Sequence, residues 1–256
     1  PRALSQLIFR QSLPATKRAK IMGGKPIDGQ GLATMGFVGH LAELRRRLAY
    51  AVVAIIVAML GAFSFADVLF EILKQPLDAI PDQKMIALGP LEVFVTYLKL
   101  SLVAGIFLSA PVLLYQFWAF LSPGLYEHEK RWVLPFVFLG TVFFLSGGLF
   151  AFYVVMPLGF EYLTAMVPDA VVPQYSVEIY FNLVIRLLLA FGIVFETPLV
   201  MWVLAAVGLV SPDAFSRFRK VWIVIAVVMG AVLTPPDPFT QMMMALPLIG
   251  FFELGI

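Results

Sequence analysis

The chain has 256 residues, 61% of them hydrophobic and only 13% charged, with a net charge of +2 and a mean hydropathy of +0.93. A water-soluble domain cannot hide that much apolar surface, so composition alone implies a membrane protein. The absence of cysteine excludes disulfides, thiolate metal sites and a cysteine nucleophile, and no Lys/Arg-rich soluble block offers a grip for nucleic acid.

In chain order, residues 1–34 are basic and broken by Pro14, Pro26 and several glycines, without the apolar core of a secretory signal. They are expected to form a disordered cytoplasmic N-terminal extension ahead of a membrane domain over 35–256. That domain opens on His40-Leu41-Ala42-Glu43-Leu44-Arg45-Arg46-Arg47-Leu48. Helical spacing puts Leu41, Leu44 and Leu48 on one stripe and His40, Glu43 and Arg47 on another. From spacing alone the simplest account is an interfacial helix, with a Glu43 to Arg47 pair and a basic anchor against anionic lipid.

A hydrocarbon core of about 30 Å needs roughly 20 apolar residues in a helix. Leu48 to Ala66, Leu100 to Leu121, Trp132 to Phe160 and Ile179 to Val210 meet that demand. Val221 to Leu233 and Phe239 to Phe252 each cover about two thirds of the core, and are expected to form a hairpin around Thr234-Pro235-Pro236-Asp237-Pro238. The predicted fold is all-α, with six transmembrane helices of which the last two are short.

Basic residues set the orientation. Arg45, Arg46, Arg47, Lys130, Arg131, Arg217, Arg219 and Lys220, with the six basic residues of the extension, fall on one side of a six-span chain. Lys74, Lys84 and Lys99 fall on the other, whose loops carry Asp67, Glu71, Asp78, Asp82, Glu92, Glu161, Asp169 and Glu178. The positive-inside rule then puts both termini in the cytoplasm.

The histidines are His40 and His128, both on the cytoplasmic rim, so no imidazole lies within a span to activate a serine. With Glu129 they make at most an improvised metal site. Neither an enzyme nor a metal or other cofactor is expected. Glu127 and Glu129, acids at the start of the helix that follows the loop, suit its dipole. On the sharper reading two cytoplasmic acidic sites, near Glu43 and near Glu129, can grip a cation, since a carboxylate accepts a guanidinium bidentately.

Glu196, in Phe195-Glu196-Thr197-Pro198, lies far from either end of the fourth span. A carboxylate there costs about 3 kcal/mol on insertion scales, which makes a functional role the better account. Pro198 bends the helix and frees a carbonyl one turn earlier. Arg186 is ten residues away and on another face, so it cannot pair with Glu196 within the helix. It either snorkels outward or meets a partner on another helix. These residues leave open a proton-coupled secondary transporter using Glu196, although no internal repeat supports one, and a scaffold that merely holds single-span partners.

Five motifs together are similar to those of a known family. They are His40-Leu41-x-Glu43-Leu44-Arg45-x-Arg47-Leu48, Ser109-Ala110-Pro111-Val112 through Tyr115-Gln116-x-Trp118-x-Phe120, Tyr126-x-His128-Glu129, Phe195-Glu196-x-Pro198, and Leu233-Thr234-Pro235-Pro236-Asp237. In order and spacing they resemble TatC, the multispanning subunit of the twin-arginine protein translocase. The resemblance implies a non-enzymatic receptor in a bacterial cytoplasmic membrane, with its six helices in a cupped bundle. It would bind twin-arginine signal peptides of folded cargo and recruit single-span TatA-like and TatB-like subunits into homo- and hetero-oligomers, with transport driven by the proton-motive force. Signal-peptide recognition would fall to Glu43 and Glu129, with Arg45 and Phe120 beside them, and the buried acid of the concave face to Glu196. Partner helices would meet Thr234 and Gln241, while Pro76, Pro198 and Asp237 would be assembly or structural positions. Against the family pattern, Arg186 replaces an apolar or small residue, Glu127 a basic or neutral one, and the N-terminal extension is long.

Overall fold

The computed structural model describes residues 29–78, 85–121, 133–168, 174–206, 208–234 and 237–256. Most of the basic N-terminal segment and the loop containing Glu127, His128 and Glu129 lie outside them. The chain divides into residues 1–46 and residues 47–256. What is described of the first unit is entirely helical, the opening part of α1 (Gly29–Phe63), which starts inside the segment expected to be irregular.

The second unit continues with α2 (Ala66–Asp78), β1 (Met85–Ile86), α3 (Glu92–Leu121), α4 (Val133–Phe150), one π-helical turn (Ala151–Val155) and α5 (Met156–Ala165). β2 (Tyr175–Ser176), α6 (Val177–Phe195), α7 (Thr197–Ala206), α8 (Pro212–Leu233) and α9 (Pro238–Gly255) complete it. Among the described residues four stretches are long and apolar enough to cross a membrane: Gly39–Phe63, Glu92–Phe120, Val133–Ala165 and Val177–Ala206. They overlap the first four runs read from the sequence, with ends that differ by up to several residues. The last two uncharged runs are short, but their helices are not: α8 has 22 residues and α9 has 18. α8 spends its first turns on Asp213, Arg217, Arg219 and Lys220, which keeps its apolar part brief.

α6 is the packing centre. It lies against α4 and α3, while α9 packs on α8 and α7. Apolar surface alone does not drive helices together in lipid, so close van der Waals fit has to. At Gly147 of α4 a side-chain carbon would sit 2.4 Å from the Phe191 carbonyl oxygen, so glycine lets the two backbones touch. Phe191, Phe181, Tyr180, Phe152 and Leu248 fill the main core around that contact. A second cluster, Trp118, Val137, Leu199 and Val203, lies where α3, α4 and α7 meet. There Phe136 stacks on Trp118 with ring centroids 4.8 Å apart.

A segment read as an acidic outer loop is in part the helix α2. Its 13 residues are too few to span a bilayer, and Asp67, Glu71, Lys74 and Asp78 suit an interface instead. Pro76 is buried near its C-terminal end beside Leu77. The Tyr180 hydroxyl donates to the Leu73 carbonyl oxygen at 2.8 Å and so ties α2 to α6.

Candidate functional site

The chain breaks at Glu196 for a local reason. Pro198 has no backbone N–H to extend the helix, so α6 ends at Phe195 and α7 restarts at Thr197. Glu196 bridges the break: its N–H donates to the Ile193 oxygen at 3.1 Å, and its carbonyl accepts from Val200 N–H at 2.9 Å. The residue is 9% exposed. Its surroundings are apolar, because a side-chain carbon on Gly140 would lie 3.2 Å from Glu196 Oε2, 3.1 Å from Leu199 and 3.2 Å from Leu114. Glycine at 140 is what leaves the carboxylate room against α4. Oε1 meets no hydrogen-bond donor among the described residues. An unmet buried polar atom costs about 1–3 kcal/mol, so this acid is retained at the expense of stability.

The rim residues are placed one by one. Glu43 is half-buried and Arg45 exposed on the first part of α1. Phe120 is half-buried at the end of α3. Glu129 lies outside the described residues. Leu41, Leu44 and Leu48 are all exposed, as are most of their neighbours on this part of α1.

The α8–α9 hairpin uses its polar groups internally. The Thr234 hydroxyl is buried and donates to the Gly230 oxygen at 2.8 Å. Gln241 Nε2 donates to the Val227 oxygen at 3.1 Å, and Trp222 Nε1 donates to the Leu248 oxygen at 3.1 Å. Asp237 caps α9, accepting the Thr240 N–H at 2.8 Å and the Thr240 hydroxyl as well. Arg219 pairs with Glu253 at 2.6 Å across the open end.

Sequence reasoning missed a hub at the other end of the bundle. Glu92 Oε1 accepts from the Ser176 hydroxyl at 2.6 Å and from Glu178 N–H at 2.7 Å. Glu92 Oε2 accepts from Gly89 N–H at 3.2 Å and from Leu88 N–H. The carboxylate thereby holds the start of α3 to the start of α6, beside the parallel pairing of Met85 with Tyr175 and Ile86 with Ser176. A carboxylate in the first turn of a helix, just after Gly89-Pro90, was the signal available in the sequence. Among the described residues no three His, Asp or Glu side chains gather as a metal site would require.

Apolar helices of this length, packed around one that is broken beside a buried acid, define an integral membrane protein of the polytopic helical class. Residues 39–247 match the family described as TatC, Sec-independent protein translocase protein. Among relatives, the Sec-independent protein translocase protein TatC of Aquifex aeolicus is 41% identical over 225 residues, covering 87% of this chain and 93% of that one. The corresponding protein of Desulforapulum autotrophicum is 45% identical over 222 residues, covering 86% and 82%. A crystal structure of the twin-arginine translocase receptor TatC in DDM superposes with a TM-score of 0.79 at 41% identity, covering 84% of this chain and 97% of that one. The chain belongs to the TatC family of Sec-independent protein translocase proteins.

Proposed function

We propose that this chain is the receptor and core subunit of a twin-arginine protein translocase in a bacterial cytoplasmic membrane. The observation that carries the reading is the family match over residues 39–247, which includes the motifs around Glu43, Phe120, Glu129, Glu196 and Thr234. The solved neighbour's description as a twin-arginine translocase receptor points the same way.

In this reading α8 and α9 are a fifth and sixth span, both termini are cytoplasmic, and the basic residues beside α1 and α8 face the cytoplasm. Glu43 and Glu129 receive the two guanidinium groups of a signal peptide. Each arginine has five donors in a rigid fork, best met by a carboxylate of its own. Arg45 and Phe120 flank them and position the peptide. Single-span TatA-like and TatB-like subunits dock on the hairpin near Thr234 and Gln241. One Gln241 amide N–H is spent on the Val227 oxygen, so its second N–H and its carbonyl oxygen are the groups that would meet a partner. Pro76, Pro198 and Asp237 shape the elements that assembly uses, and the proton-motive force drives transport.

The test is site-specific crosslinking to peptides bearing Arg-Arg or Lys-Lys. Glu43→Ala and Glu129→Ala should each abolish Arg-Arg capture while leaving the protein in the membrane. Undiminished, Arg-selective capture by both variants would overturn the receptor assignment.

A further inference from the structure

The family reading gives no task to Arg186, yet its placement is unusual. It is exposed on α6, and makes no hydrogen bond or ion pair with any described residue. Ile179 and Ile193, seven residues to either side, share its face and are 67% and 65% exposed. That face is therefore turned to lipid, where a bare guanidinium costs about 3 kcal/mol at the bilayer centre. Something has to meet the charge.

The direction in which the side chain can reach narrows the choice. Cα–Cβ bonds tilt toward a helix N-terminus, so Arg186 extends toward the β1–β2 end of the span. One turn that way, about 6 Å, is Asn182, whose Oδ1 accepts from Lys99 Nζ at 3.0 Å. Lys99 also pairs with Glu178 at 3.1 Å. Lys99 thus takes the Glu178 carboxylate, and Glu92 is committed to Leu88, Gly89, Ser176 and Glu178, so among the described residues neither acid pairs with Arg186. Arg186 is left as an unmatched cation beside this cluster, above an apolar stripe.

An occupant must bring paired anionic oxygens at that depth and an apolar body below them. A phospholipid has both, and is present at that level in every bilayer. A transmembrane helix would need a carboxylate of its own within the hydrocarbon. We propose that Arg186, with Lys99 and Asn182 beside it, binds the phosphate of an anionic phospholipid in the leaflet on the β1–β2 side. The guanidinium forks onto two phosphate oxygens, and an acyl chain lies along the Ile179–Ile193 face.

The experiment uses the full chain in detergent micelles, titrated separately with phosphatidylglycerol and phosphatidylcholine and read by native mass spectrometry. Wild type should retain phosphatidylglycerol preferentially. Arg186→Leu should weaken that retention about fivefold, the scale expected of one basic residue near a lipid surface, and abolish the preference. Arg186→Lys should keep most of it. Thermal unfolding of Arg186→Leu without added lipid should match wild type, since Arg186 is exposed and makes no hydrogen bond or ion pair with any described residue. Equal phosphatidylglycerol retention by Arg186→Leu and wild type would overturn the proposal. So would parallel loss of both lipids, or crosslinking from position 186 to a protein helix with lipid retention unchanged.

Discussion

The first and fourth spans have nearly the same hydropathy, 1.8 and 2.1, yet 6% of one is buried inside the protein and 50% of the other. Hydropathy registers the solvent a helix can tolerate, while burial registers which other helices it must fit. α1 meets α3 where Gly105 admits the backbone of Met59, and otherwise turns Val53, Val57 and Leu60 to lipid. α6 instead places Val184 and Phe191 fully inside, bears Gly192 against the ring of Phe144, and ends at the buried acid. In lipid the difference is one of packing and not of water exclusion, so small residues at close approaches decide it.

Two substitutions can break that comparison. Gly147→Ala drives a carbon to 2.4 Å from the Phe191 backbone oxygen, which neither helix can yield cheaply. It should cost about 3 kcal/mol, the upper part of the range for overpacking, read as a lowered midpoint of thermal unfolding in detergent. Gly105→Ala also meets backbone, at 2.8 Å from Met59 N, but the helix it displaces is already mostly in lipid. The expected loss is about 1 kcal/mol, with crosslinking between α1 and α3 reduced more than the melting midpoint. Equal losses from the two would mean that α1 is held as firmly as α6, and the contrast would fail.

The same contrast explains what could be read from the residues. The four long spans were legible because a bilayer demands an uninterrupted apolar run. The break at Glu196 was legible because a carboxylate and a proline inside such a run have few innocent explanations. α2 was not, since 13 residues with four charges pass for a loop, although Phe70, Leu73 and Leu77 carry a helical spacing. The Glu92 hub escaped because Ser176 and Glu178 are 84 and 86 residues away, and nothing local names them as partners. Glu43 and Glu129 stand apart from all of these: rim carboxylates have capping and lipid-anchoring roles by default, and family motifs alone raise them to ligands. The hairpin sharpened its own reading, since the Thr234 hydroxyl proton and one Gln241 amide N–H are spent within it.

On the receptor reading, the buried acid of the packed span, Glu196, is expected to serve a step after recognition. The direct measurement compares Glu196→Gln with wild type in two assays: capture of an Arg-Arg signal peptide, and transport of a folded cargo into membrane vesicles. Glutamine keeps the size and the polar oxygen but cannot ionise. The account predicts capture within about twofold of wild type, as expected of a residue away from the peptide, together with loss of transport. Normal transport by Glu196→Gln would contradict it.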